Sequence, residues 1–281
     1  MSIFLIATSL VKWPVENSPI MILAEDATGP SPLSDQGAGD RHVLLHYHLF
    51  KNAGTSLDTI LKKSFGDGWV EREFDTPHHA EQMPVLQALL LENRQITAFS
   101  SHTLLFPLPQ IPGMSFFPIV FVREPMARLR SAYEFERQQD KSTVGANLAK
   151  QLSFAGYLER RLSNPNDRSC RDFQTYRLAR HTPASFGSER ARALATVDLL
   201  PFVGLVERFD TSVTTLQNEI TTQFPTFKSF SIRENVTTLS TDHEEILADI
   251  RRELGPKLYD IVLEANEGDI ALHEKVKRIY G

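Results

Sequence analysis

An α/β fold built on a doubly wound, mainly parallel sheet flanked by helices is predicted by three features of this sequence. Apolar runs of strand length alternate with segments of helical period along most of the chain. The run FFPIVFV at residues 116–122 is apolar almost throughout, as strands covered by helices on both faces are. Two stretches that carry chemistry, residues 51–56 and Arg123, come directly after such runs, where open α/β sheets place their ligands.

The elements are expected in this order. A strand at about residues 42–49 passes into a helix at about 55–65, where Leu57, Ile60, Leu61 and Phe65 recur at i, i+3, i+4 spacing and define a buried face. Phe65-Gly66-Asp67-Gly68-Trp69 ends that helix, and a second spans residues 81–93 with Leu86, Leu89 and Leu90 inward. A short strand at 96–101 stops at His102, and a proline-broken loop fills 106–113. The strand at 116–122 is closed by Arg123-Glu124-Pro125, with Pro125 suited to the first position of a helix. That helix carries Leu129, Ala132 and Tyr133 at core spacing. Helical patterns continue at 146–162 and, more faintly, at 171–180, and Ser188 caps a helix running to about Val197. Residues 202–206 form a last short strand before a helix at 210–223, and 242–280 read as amphipathic helix broken at Gly255-Pro256.

The 281 residues suit an N-terminal arm and linker at 1–40 followed by a single domain at 41–281 with a helical C-terminal part. Net charge is -5 and the pI about 6.0, so no global basic field recruits nucleic acid, and any anion site must be a local cluster of Lys and Arg. The one cysteine, Cys170, excludes an internal disulfide and points to a reducing compartment. The apolar N-terminus lacks a basic flank and is interrupted by Lys12, Pro14 and Glu16, and no segment reaches the ~20 apolar residues of a spanning helix. A strand or arm packing on the body is expected there. Residues 24–40, rich in Gly, Pro, Ser and Asp, read as a linker or mobile loop before the core.

The organising stretch is RHVLLHYHLFKNAGTS, residues 41–56, in which strand, turn and helix follow one another without a gap. Such a turn suits a phosphate. Its backbone N–H groups and the helix N-terminus converge on an anion, Lys51 adds fixed charge, Gly54 allows close backbone approach, and Thr55 and Ser56 lie where helix donors are unpaired. The lysine precedes the glycine, so this is not a Walker A motif, and an ordinary capped turn is the competing reading.

Two stretches together resemble the carbohydrate sulfotransferases. HLFKNAGTS is similar to their 5′-phosphosulfate loop, usually His-Ile-Pro-Lys-Thr-Ala/Gly-Gly-Thr-Ser, and PIVFVREPMARLRSAYEFER to their 3′-phosphate motif, with Arg123 and Ser131 at the family's eight-residue spacing. PFVGLVERFDTSVTTL is similar to a later Val-Gly-Leu-x-Glu segment, and the heparan sulfate 2-O-sulfotransferase branch compares best. Phe50 replaces a proline, Asn52 a threonine, and Glu124 the aspartate of Arg-Asp-Pro. The resemblance implies the P-loop NTPase-like sulfotransferase fold and the donor 3′-phosphoadenosine 5′-phosphosulfate (PAPS), with no metal.

It also implies two phosphate grips: Lys51, Asn52, Ala53, Gly54, Thr55 and Ser56 for the 5′-phosphosulfate, and Arg123 with Ser131 for the 3′-phosphate. Lys51 would neutralise charge on the leaving oxygen. His102, in FSSHTLLF, matches the family's Gly-His segment and is the expected general base; a packed loop histidine is the alternative.

Other residues carry weaker expectations. His46 and His48 share a strand face but suggest no third metal ligand, so they are read as core or supporting groups, and His78-His79 as exposed loop. Glu207 could orient a helix or a base, or be solvated, and Arg233 near Asn235 could reach the nucleotide. Arg160, Arg161 and the arginines of 168–180 could face an anionic acceptor or simply water, and Cys170 has no partner for thiolate chemistry.

The expected activity is sulfuryl transfer to a hydroxyl of a saccharide or other small molecule, in a cytoplasmic enzyme of undefined oligomeric state. A kinase-like phosphotransferase and an inactive nucleotide-binding module are the rivals. The first lacks a Gly-Lys-Ser/Thr pattern, and Lys51, Arg123, Ser131 and His102 argue against the second.

Overall fold

The computed structural model describes residues 41–230 and 243–280. The arm and linker expected at 1–40, and Arg233 with Asn235, lie outside them.

The sheet is parallel throughout and centred on β1 (Arg41–Tyr47). After the turn, α1 (Gly54–Phe65) leads by a short 3₁₀ turn to β2 (Trp69–Glu71), and α2 (His79–Glu92) to β3 (Ala98–Ser101). β4 (Met114–Ile119) follows, and the strand order is β2-β3-β1-β4. In register, Leu45 of β1 lies between Phe99 of β3 and Pro118 of β4.

The apolar run expected as one strand at 116–122 is divided. β4 stops at Ile119, opposite His46, and β5 (Phe121–Val122) pairs instead with β6 (Gly204–Leu205), Phe121 opposite Gly204. The hinge is Val120, whose carbonyl accepts the Gly204 N–H at 2.8 Å. Glycine is needed at 204, because a Cβ there would lie 2.5 Å from the Phe121 ring.

Helices α3 (Pro125–Gln138), α4 (Val144–Gln151), α5 (Phe154–Leu162), α6 (Phe173–Leu178) and α7 (Glu189–Leu199) lie between β5 and β6. After β6 come α8 (Phe209–Ile220), α9 (His243–Ala265) and α10 (Glu267–Tyr280). The helix expected over 146–162 is two helices: Ser153 caps α5, its hydroxyl accepting the Gly156 N–H. α9 is kinked at Gly255, where φ is 68°, as the Gly-Pro pair predicted. No described helix is long and apolar enough to cross a membrane.

The strand period of two sorts the core. Val43, Leu45 and Tyr47 face α2, α7 and α10 through Leu86, Leu90, Val197 and Leu272. Leu44 faces α1 and α8 through Leu57, Ile60, Leu61 and Leu216. Both sheet faces are thus covered, and each fully buried large aliphatic side chain contributes about 1.5–3 kcal/mol. A third cluster joins α3, α5 and α9 through Leu129, Tyr157 and Leu254.

Candidate active site

The turn after β1 is held in a conformation that ordinary residues avoid. Lys51 and Ala53 have φ of 66° and 59°, in the left-handed region. Ala53 directly precedes the right-handed helix α1, and such a left–right pair of residues turns successive N–H groups into an anion-binding concavity. Among the described residues, the N–H groups of Ala53, Gly54 and Thr55 have no backbone acceptor. Asn52 and Ser56 differ: their N–H groups are taken by Leu49 O and Ala53 O, both at 3.1 Å. The Asn52 side chain turns inward, donating to Phe121 O and Gln174 Oε1, each at 2.7 Å. Of the residues expected at this grip, Lys51, Ala53, Gly54 and Thr55 therefore keep groups free for a ligand through backbone or ammonium, while Asn52 anchors the turn.

Arg123 sits at the end of β5 and reaches the same turn, its Nη1 donating to Lys51 O at 3.0 Å. The Lys51 ammonium lies 4.6 Å from the Phe135 ring centroid on α3, and burial, then the charge of Arg123, lower its pKa. Ser131 is on α3 one turn before Phe135, so the two share a helix face. Two adjacent cationic groups without a carboxylate ion pair among the described residues are suited to anions.

The structure explains the Arg-Glu-Pro variation. Glu124 caps α3, accepting the Ala127 N–H at 2.6 Å, the task an aspartate would also perform. Glu207 is not a solvated residue. Its Oε1 accepts the Glu124 N–H at 2.7 Å and its Oε2 lies 3.2 Å from His273 Nε2, so it fixes the backbone beside Arg123. Gln174, fully buried on α6, joins the Lys51 turn to the strand end at Arg123. Its Oε1 accepts from Asn52 and, at 2.8 Å, from the Arg123 N–H, while its Nε2 donates to Arg123 O at 2.9 Å.

His102 follows β3. Its ring Nδ1 lies 2.8 Å from Glu73 Oε1, and its own N–H donates to the same oxygen at 3.0 Å. Burial would raise the Glu73 carboxyl, but the His102 N–H, the Thr103 hydroxyl and the His102 ring outweigh it and hold its pKa at about 2. An ionised Glu73 accepts from Nδ1–H and leaves Nε2 as the basic atom.

His102 is joined to the phosphate-type turn by stacking. Its ring lies on that of His48, centroids 3.6 Å apart, and His48 stacks on His46 at 5.0 Å. The ring of His48 fills the space over Gly54, where a Cβ would sit 1.9 Å from His48 Cδ2. Gly54 thus admits an imidazole, rather than only a ligand. Asp58 of α1 serves both inner histidines: His46 Nδ1 is 2.7 Å from Oδ1, and His48 Nδ1 is 2.9 Å from Oδ2, though off line for a hydrogen bond. Burial opposes its charge, but His46 first and then His48 hold the Asp58 carboxyl well below the usual range. Asp58 is also the third metal-type ligand that the spacing of His46 and His48 did not suggest.

The remaining candidates have structural partners. Arg161 pairs with Asp167, Arg168 with Glu189 at 3.0 Å, Arg171 with Leu162 O and Arg180 with the Tyr176 hydroxyl. Arg177 donates to His102 O and Leu104 O, both at 2.9 Å, and so braces the His102 loop. Arg160 is exposed. Cys170 is buried, which pushes its thiol up to about 11 and excludes thiolate chemistry. His79 opens α2 rather than lying in a loop, 2.8 Å from Pro107 O, and His78 is exposed. Glu73, Asp58 and Gln174 were missed by sequence reasoning. Only Asp58 left a signal, an acid within the helix that follows two same-face histidines.

Residues 38–274 match the model of the family described as "Sulfotransferase family". The chain is also similar to an uncharacterised protein of Archaeoglobus fulgidus, 39% identical over 249 residues that span 86% of this chain and 98% of that protein. The match runs through the turn at Lys51, the strand end at Arg123 and His102, and with it this chain belongs to the sulfotransferase family.

Proposed function

We propose that the protein moves the sulfuryl group of PAPS to a hydroxyl of a carbohydrate or another small-molecule acceptor, with His102 as general base. One observation carries this reading: the stack of His102 on His48, and of His48 on Gly54, which sets a carboxylate-oriented imidazole beside the unpaired N–H groups at the start of α1. The residues fit the donor, whose anionic charge lies in two places. The N–H groups of Ala53, Gly54 and Thr55 with Lys51 would hold the 5′-phosphosulfate, and Arg123 with Ser131 the 3′-phosphate.

When bound, PAPS supplies a sulfuryl group on a phosphate leaving group. His102 Nε2 takes the acceptor's hydroxyl proton as the oxygen is sulfated, and Glu73 stabilises the imidazolium that results. Lys51 would neutralise charge gathering on the departing phosphate oxygen. Removal of a base of this kind costs about 10²–10⁴ in rate.

The test follows conversion of PAPS to 3′-phosphoadenosine 5′-phosphate (PAP) by chromatography, without metal, against sets of saccharides, alcohols and phenols. Acceptor-dependent PAP release that His102→Ala lowers at least a hundredfold, with PAP binding retained, is expected. Equal turnover by His102→Ala would remove the base assignment, and magnesium-dependent phosphate transfer from ATP would replace the reading with a kinase.

A further inference from the structure

We propose that His48, Glu71 and His102 form a site for a divalent transition cation of the zinc class, and that the bound cation silences His102. The three residues stand at the carboxyl ends of three adjacent parallel strands. Glu71 is the last residue of β2, His102 follows the end of β3, and His48 follows the end of β1. The register that sets Glu71 opposite Ser100 and Tyr47 opposite Ser101 brings them to one edge. A ligand-type atom of each lies within 4.8 Å of those of the other two.

The surroundings are those of metal-binding histidines. A ligating imidazole usually gives its second nitrogen to a carboxylate, which fixes the tautomer and makes the ligating nitrogen more basic. His102 has that arrangement, with Glu73 Oε1 2.8 Å from its Nδ1, while at His48 the Asp58 carboxylate lies 2.9 Å from Nδ1 as a close charge, off line for a hydrogen bond. The Nε2 atoms are left for a ligand. His48 is buried and fixed, whereas His102 and Glu71 present accessible side chains that can close the gap. Tetrahedral bonds of about 2.0–2.1 Å require ligand atoms about 3.3 Å apart, so the spacing closes by up to about 1.5 Å as the His102 ring slides off its stack on His48 and Glu71 turns inward. Two imidazoles and one carboxylate suit zinc, cobalt or copper, and not magnesium.

A cation on His102 Nε2 occupies the lone pair that would accept the acceptor's proton, so occupancy inhibits. That consequence rests on the reading of His102 as the base; the metal site does not. The test uses the full chain, tag removed and stripped with chelator, titrated with cobalt(II) while its visible ligand-field absorption is followed. We expect one equivalent to give an intense tetrahedral band that zinc displaces. Glu71→Gln should weaken binding at least tenfold, and His102→Ala should abolish the band. No band in folded wild-type protein, or binding by both variants equal to wild type, would overturn the site. Zinc is then added to the PAPS turnover assay, each protein measured against its own metal-free rate. Inhibition of wild type that Glu71→Gln resists at least tenfold is expected, and turnover indifferent to saturating zinc would overturn the inhibitory role. Cobalt binding by a protein that never uses PAPS would overturn the proposed function and leave the metal site standing.

Discussion

Replacement of Gly54 by alanine sets two physical effects against each other. Gly54 opens α1 with ordinary backbone angles, so Gly→Ala by itself would favour the helix by about 0.5–1 kcal/mol. The added methyl group, however, would sit 1.9 Å from His48 Cδ2 and 2.0 Å from Nε2, so the ring must retreat by more than an ångström. His48 is buried, with Asp58 at 2.9 Å and the His102 ring stacked at 3.6 Å, and it cannot retreat without disturbing both. Overpacking costs about 1–3 kcal/mol. Disturbing a contact to a buried charged group adds about 1.5–3 kcal/mol. A net loss of about 2–5 kcal/mol is expected, measured by urea denaturation of wild type, Gly54→Ala, His48→Ala and the double variant. In the double variant the methyl group enters the space the ring leaves, so the two changes should couple favourably by at least about 1 kcal/mol. A Gly54→Ala protein as stable as wild type, or strict additivity in the double variant, would refute the packing of His48 on Gly54.

Two further outcomes follow from the same site and its support. Gln174→Leu strands the Arg123 N–H and C=O without partners and should cost about 2–5 kcal/mol in urea denaturation, and an unchanged midpoint would contradict its bridging role. Asp172, whose carboxyl accepts the Asp269 N–H at 2.9 Å, has its pKa raised to about 6, by burial first and by the Asp269 charge among lesser causes. The folded state therefore holds this proton more tightly than the unfolded state, and its contribution is complete below about pH 3.8 and lost as pH rises through about 6. Asp172→Asn should accordingly gain stability relative to wild type between pH 4 and 7 in parallel thermal melts, and a constant difference across that range would contradict the shifted carboxyl.

The parts of the site that were legible in the sequence are those in which cause and consequence are neighbours in the chain. Lys51 to Ser56 could be read as a strand–turn–helix unit because β1 and α1 flank them directly, and Arg123 because an apolar run ends at it. Ser188 and Pro125 marked helix starts for equally local reasons. What escaped depends on contacts that sequence does not juxtapose. Residues 69–71 are too short to show a period, and they are a strand because β3 offers an edge, Trp69 Nε1 donating to Ser100 Oγ at 3.0 Å. The change of partner at Val120 leaves no trace in a run that is apolar on both sides of it. Glu73 meets His102 across a crossover, and Gln174 meets Asn52 and Arg123 only once α6 is packed, so neither glutamate nor glutamine differed from a surface residue. Glu207 was recognised within its segment, but its choice among roles required the Glu124 N–H and His273 to be in place.

The most direct test of the account is calorimetric binding of PAP, without metal and beside ATP with magnesium, to wild type, Lys51→Ala and Arg123→Ala. Loss of a charge-assisted contact to phosphate is worth about 1.5–3 kcal/mol, or roughly ten- to more than a hundredfold in affinity. The account predicts tight PAP binding that each substitution weakens by that factor, with little affinity for ATP. A folded wild-type protein that does not bind PAP, or binds it equally well after both substitutions, would contradict a donor site formed by the Lys51 turn and Arg123.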